Sequence, residues 1–164
     1  MRCITGNAPP TNPFTYNNHI QLVQTRDVVV IFSEIAHNAK VVPLDGRPHL
    51  PSHVRLWDGD SVGRWEGDTL VVETTNFTDK KSLMGSSENM RLVERFSLLD
   101  ATTMQYEYTV TDPTVFTRPW TVQIPMTRTD ERIYEYACHE GNYAMANMLQ
   151  SARAVEQHDK TKTQ

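Results

Sequence analysis

The chain has 164 residues, of which 38% are hydrophobic and 22% charged, and it carries a net charge of −4. That is one domain's worth of chain, long enough to hide roughly 70% of its unfolded surface without metal or disulfide staples. The composition excludes a disordered chain, scattered and outnumbered Lys and Arg argue against a nucleic-acid partner, and no apolar run reaches the ~18 residues of a membrane-spanning helix.

The chain opens MRCITGNAPP, with no apolar leader-like run. Such a start fits a mature exported form, a truncated chain and a cytosolic protein alike. Cys3 lies in this segment, and Cys138 lies in YEYACHEGNY near the far end. If the two segments are neighbours, a Cys3–Cys138 disulfide closes almost the whole chain, worth roughly 4–5 kcal/mol in the chain-entropy model. If they are not, both cysteines are small unpaired hydrophobes.

Short strand-like runs separated by turn signals follow. HIQLVQT (19–25) and VVVIFSEI (28–35) flank Arg26-Asp27, and AKVVPLD (39–45) comes after a turn at Asn38. The stretch VVPLDGRPHLPSHVRLWDGDSVGRW (41–65) then breaks the pattern. Prolines at 43, 48 and 51 deny it strand or helix continuity. Long irregular segments in small domains tend to be lids or binding loops. Arg47, His49, His53 and Trp57 are therefore expected at the mouth of a pocket, in contact with substrate.

SVGRW (61–65) and TLVVETTNF (69–77) around Glu66-Gly67-Asp68 predict a hairpin. MRLVERFSLL (90–99) turns at Asp100-Ala101 into TMQYEYTVT (103–111), which Asp112-Pro113 ends. WTVQIPMTR (120–128) and RIYEYAC (132–138) complete the series. Apolar spacing predicts one helix from Asn142 to about Gln157, capped by Gly141 or Asn142, and a disordered tail over 158–164.

No helices intervene between the strands, so parallel βαβ units are excluded. The expected fold is all-β: an antiparallel up-and-down barrel of about eight strands with a C-terminal helix, one domain over residues 1–157. A two-sheet sandwich is the alternative.

Alternation places Glu34, Glu73 and Glu94 each on a strand face shared with large apolar residues. A lone buried carboxylate is costly and seeks a partner or a proton. Either these acids line a barrel pocket with Tyr106 and Tyr108, or they pair with Arg91, Arg95, Arg118 or Arg128, or their apolar face is the outer one, covered by the helix. His37, His49, His53 and His139, the last beside Glu140, could gather at one barrel mouth. Three roles compete for them: acid–base partners of a Glu, ligands of a divalent metal, and structural histidines of the loops. No HExxH motif, CxxC pair or phosphate-cradling glycine loop is present, so no nucleotide cofactor is expected. Arg47 and Arg118 each precede a proline, which holds them extended and suits them either to orient a carboxylate or phosphate on a ligand or to pair with a loop acid such as Asp45 or Asp112.

The phrases RPHLPSHVRLWDGDSVGRWEGDTLVVETTNFTD, LVERF, TRPW and YEYACHEGNY resemble those of a group of exported bacterial hypothetical proteins. The likeness covers nearly all of the chain. It implies export, to periplasm or medium, and hence the disulfide; it carries no activity and no catalytic residue. The barrel expectation is similar to the calycin (lipocalin-like) architecture, an analogy of fold alone.

The residues together suggest a small cofactor-independent enzyme, of lyase, isomerase or hydrolase chemistry, acting on a small organic molecule. Glu34 and His37 are the expected acid–base pair, with His139, Glu140, Glu94 and Glu73 as further candidates. Arg47, His49, His53, Trp57, Tyr106, Tyr108 and Arg118 would bind substrate. The alternatives are a non-catalytic exported binding protein and a metal-dependent His/Glu enzyme. A monomer or homodimer with no membrane span fits either way.

Overall fold

The structure, a computed structural model, describes residues 9–10, 18–80, 83–136 and 143–162. Cys3, Cys138, His139 and Glu140, with the disulfide and the catalytic roles expected of them, lie outside these residues. Among the described residues eight strands run in chain order: β1 (Ile20–Gln24), β2 (Val28–Ser33), β3 (Ala39–Pro43), β4 (Asp60–Glu66), β5 (Thr69–Thr75), β6 (Arg91–Leu98), β7 (Thr103–Thr111) and β8 (Trp120–Thr127). The helix α1 (Ala144–Lys162) follows them and runs past its expected end near Gln157.

Every neighbouring pair is antiparallel, but the meander breaks once. β1-β2-β3 form one sheet and β4-β5-β6-β7-β8 a second. No closed barrel is found among the described residues. The break coincides with the proline-rich segment between β3 and β4. At the other end, Pro125 stands opposite Gln105 in β8; lacking an N–H, it suits an edge strand.

The expected ninth strand over 132–138 is also absent among the described residues. Tyr136 there makes one isolated parallel bridge to Ile35, its N–H donating to the Glu34 carbonyl at 3.0 Å. The run has strand-forming composition, but its neighbour β2 has already ended.

The two sheets share one core. Val29, Ile31 and Val42 from the first meet Leu70, Val72, Leu92, Phe96, Tyr106, Tyr108 and Val110 from the second. Gly63 lets β4 lie against the end of β3. A Cβ there would sit 2.6 Å from Val42 Cγ1 and 2.8 Å from Leu44 Cδ2.

The interior between the sheets is packed with aromatic rings. Phe96 stacks on Tyr106 at 4.8 Å, Tyr106 leans on Tyr108 at 5.7 Å, and Tyr108 meets Trp120 edge-on at 6.0 Å. Tyr106 and Tyr108 are 0% and 1% exposed, so they are core residues where the alternation had suggested pocket walls. Their inward face is the one expected; the volume it faces is filled.

The described side chains of α1 are exposed throughout, Met145, Met148 and Leu149 included. The helix is too polar to cross a membrane.

Candidate functional site

The three acids singled out by alternation have three different environments. Glu94 on β6 is fully buried. Its carboxylate accepts from Lys40 Nζ at 2.6 Å and from the Tyr106 hydroxyl at 2.9 Å. Lys40 comes from β3, so this pair ties the two sheets together through the core. Burial, with the Glu94 carboxylate beside it, pushes the Tyr106 phenol well up, and it remains a hydrogen-bond donor. A carboxylate sealed in this way is a structural tie and is poorly placed to meet a substrate.

Glu73 on β5 points to the opposite face of its sheet, away from the core. Arg91 of the adjacent β6 grips it with two bonds, Nε to Oε1 at 2.7 Å and Nη2 to Oε2 at 2.6 Å. This guanidinium holds the Glu73 carboxyl below its usual range. The ion-pair alternative, with Arg91 as partner, describes Glu73.

Glu34 lies just past the end of β2, and its partner is His19. The β1–β2 hairpin sets Ile20 opposite Ser33, so His19 stands opposite Glu34. The Glu34 N–H donates to the His19 carbonyl at 3.1 Å, and His19 Nδ1 lies 3.1 Å from Glu34 Oε2. The other ring nitrogen, Nε2, approaches Glu131 at 4.0 Å. The His19 side chain is 49% exposed and that of Glu34 17%.

The expected Glu34–His37 pair is not formed. The chain turns at Ala36 and His37 with positive φ of 57° and 50°, a conformation uncommon outside Gly and Asn. The exposed His37 ring packs edge-on against Phe32 at 4.5 Å. The turn brings the His37 N–H to the Glu34 carbonyl at 3.3 Å, while the carboxylate is engaged by His19.

His19 forms part of the wall of a large cleft at the seam between the sheets. The cleft measures about 890 Å³. Ile20 and Leu22 of β1 line one side; Leu98, Met104 and the segment 128–133 after β8 line the other. Arg128, Arg132, Asp130 and Glu131 supply charge to it. Asp100 shapes the adjoining β6–β7 turn by accepting from the Thr102 and Thr103 N–H groups. The Arg128 N–H donates to the Thr102 carbonyl at 2.7 Å, anchoring the segment that follows β8.

The proline-rich segment is stitched down elsewhere. Arg47 is engaged by Asp45, with Nη2 to Oδ2 at 2.6 Å, and this bond holds the exposed Asp45 carboxyl at about 2. Asp60 Oδ2 takes His49 Nδ1 at 2.7 Å and the Leu50 N–H at 3.0 Å. Asn76 Nδ2 donates to the carbonyls of Leu50 and Pro51. Its own carbonyl accepts from the Leu56 N–H. His49 Nε2 is buried, without a hydrogen-bond partner, 3.9 Å from Glu73 Oε1.

The residues expected to contact one substrate are therefore dispersed. Arg47 lines a cleft of about 350 Å³ with Leu50, Asp60 and Ser61. Trp57 lines another, of about 230 Å³, with Arg55 and Lys80. His53 and Arg118 are exposed, and neither these four nor Tyr106 and Tyr108 line the seam cleft. Sequence reasoning did not assign His19, Arg132 or Lys40.

No group of three His, Cys, Asp or Glu side chains suited to a metal occurs among the described residues. No known family model, curated protein or solved structure matches the chain.

Proposed function

We propose that the protein is a small acid–base enzyme whose working pair is His19 and Glu34, acting on a small organic molecule in the seam cleft. One observation carries this reading: a histidine held at Nδ1 by a half-buried carboxylate, half-exposed on the wall of an ~890 Å³ cleft. Clefts of about 300–1,000 Å³ are the usual size for small-molecule sites.

The chemistry follows from the two ring nitrogens. In neutral His19, Nδ1–H donates to Glu34 and Nε2 carries the lone pair. Nε2 takes a proton from substrate carbon or oxygen, and the imidazolium formed is stabilised by the Glu34 carboxylate. Returning that proton to another substrate atom completes an isomerisation; delivering it to a leaving group as its bond to the adjacent carbon breaks completes an elimination; taking the proton instead from a water that attacks an ester carbonyl, and delivering it to the departing alkoxide, completes a hydrolysis. General acid–base assistance of this kind contributes roughly 10²–10⁴-fold.

The sheets support a further reading, that of a barrel of calycin type opened along two seams, with its ligand site at a seam. The resemblance to exported proteins supports a periplasmic or secreted location, in which Cys3 and Cys138 would pair.

The test is turnover. Wild-type protein and His19→Gln are incubated with a panel of small hydroxy acids, esters and lactones, and products are read by mass spectrometry. The expected result is a product that wild type forms and His19→Gln forms on the order of 100-fold more slowly. Equal rates in the two proteins, or an unchanged panel, would sink the reading.

A further inference from the structure

The seam cleft shows what kind of molecule fits it. Its walls are mixed: Ile20, Leu22, Leu98, Met104 and Ile133 provide apolar surface, and the charged side chains come from the segment after β8. Two of the apolar residues are open to solvent at its edge, Leu22 at 38% and Leu98 at 75% exposure, and Leu99 beside them is 61% exposed. Apolar side chains gathered at the edge of a cleft mark a surface made to be covered.

The charges in the cleft are unequally engaged. Asp130 lies 3.9 Å from Arg128 Nη2, and Glu131 lies 4.0 Å from His19 Nε2. Among the described residues, Arg132 has no carboxylate within ion-pair distance. A guanidinium with no carboxylate partner among the described residues, beside an apolar wall, matches a carboxylate, which it can bind with two parallel bonds.

We propose that the seam cleft takes a small amphipathic carboxylate, its alkyl or aryl body on Ile20, Leu22, Leu98 and Met104 and its carboxylate on Arg132. The class of substrate rests on the acid–base reading above; the binding does not. In this pose the charged end is fixed at Arg132, and His19, beside Ile20 on the facing β1 wall, reaches an atom of the body or a neighbouring polar group. The carboxylate is an address and is unchanged by the reaction.

The test uses octanoate and 1-octanol, the same chain with and without the charge, titrated calorimetrically into the full-length protein. Octanoate is expected to bind saturably at one site, with 1-octanol at least tenfold weaker. Arg132→Gln should weaken octanoate about tenfold, the loss of one charge-assisted contact, and leave 1-octanol unchanged. Leu22→Asp should weaken both. Arg132 is exposed, and an unchanged far-UV spectrum of Arg132→Gln would confirm that it folds. Absence of saturable octanoate binding, equal affinity for the alcohol, or indifference to Arg132→Gln overturns the proposal. Octanoate binding with no turnover anywhere in the substrate panel would overturn the enzyme and keep the ligand class. Turnover that depends on His19 and ignores Arg132 would do the reverse.

Discussion

Removing the Lys40 ammonium should be the most damaging single change in the core. Glu94 and Lys40 are 0% and 5% exposed, and their charges meet at 2.6 Å. Lys40→Met keeps most of the side-chain volume and leaves the carboxylate with the Tyr106 hydroxyl alone. Breaking a buried ion pair from one side costs about 3–5 kcal/mol, a large part of the roughly 5–15 kcal/mol that holds a domain together. A loss of about 4 kcal/mol is therefore expected in urea unfolding at pH 7. The double change Lys40→Met with Glu94→Leu removes both charges and should recover most of the loss. A Lys40→Met variant within about 0.5 kcal/mol of wild type, or a double variant no better than the single, would mean that the Lys40–Glu94 pair does not hold the two sheets together.

Three other changes test separate parts of the structure. Arg91 holds Glu73 below the usual carboxylate range. Its stabilisation is present above the unfolded carboxylate value near ~4.3 and is lost as pH falls through the lower folded one. Arg91→Gln should therefore be less stable than wild type at neutral pH and converge with it as pH falls through the lowered folded value of Glu73; parallel curves on denaturant titration would count against the pairing. Asp60→Asn weakens the anchor shared by His49 and the Leu50 N–H, so the Leu50 amide should exchange with deuterium at least tenfold faster while the β6 and β7 amides stay protected. Gly63→Ala forces a Cβ against Val42 and Leu44 and should cost about 1–3 kcal/mol; a neutral effect on melting would mean that the sheets separate there easily.

Much of the strand order was legible because alternation is a local property, and the eight observed strands follow runs visible in the sequence. The closure of the sheet was not, since it depends on which edges meet. Pro43 and Pro125 were visible, but their effect on pairing depends on having no strand beside them. Inward orientation of Glu94 could be read from its alternation with Leu92 and Phe96. Its partner could also have been found, because Lys40 is in phase with Val42, yet a lone lysine in a short strand is ordinarily read as surface.

The pairing of Glu34 failed in a more instructive way. His37 is nearer in sequence, but its ring packs against Phe32. His19 is fifteen residues off, and a hairpin turning on Arg26 and Asp27 brings it directly opposite. Counting back from that turn would have named it. The cleft itself could not be read from the sequence, because it is made where β1 approaches the segment after β8 and depends on the sheet remaining open.

In the proposed site Glu34 fixes His19 with Nδ1 protonated and Nε2 free to act. Long-range ¹H–¹⁵N correlation on ¹⁵N-histidine-labelled protein reads this directly. The neutral His19 ring is expected to be protonated at Nδ1, a preference lost in Glu34→Gln. A neutral ring protonated at Nε2 in the wild type would rule out this arrangement of the pair.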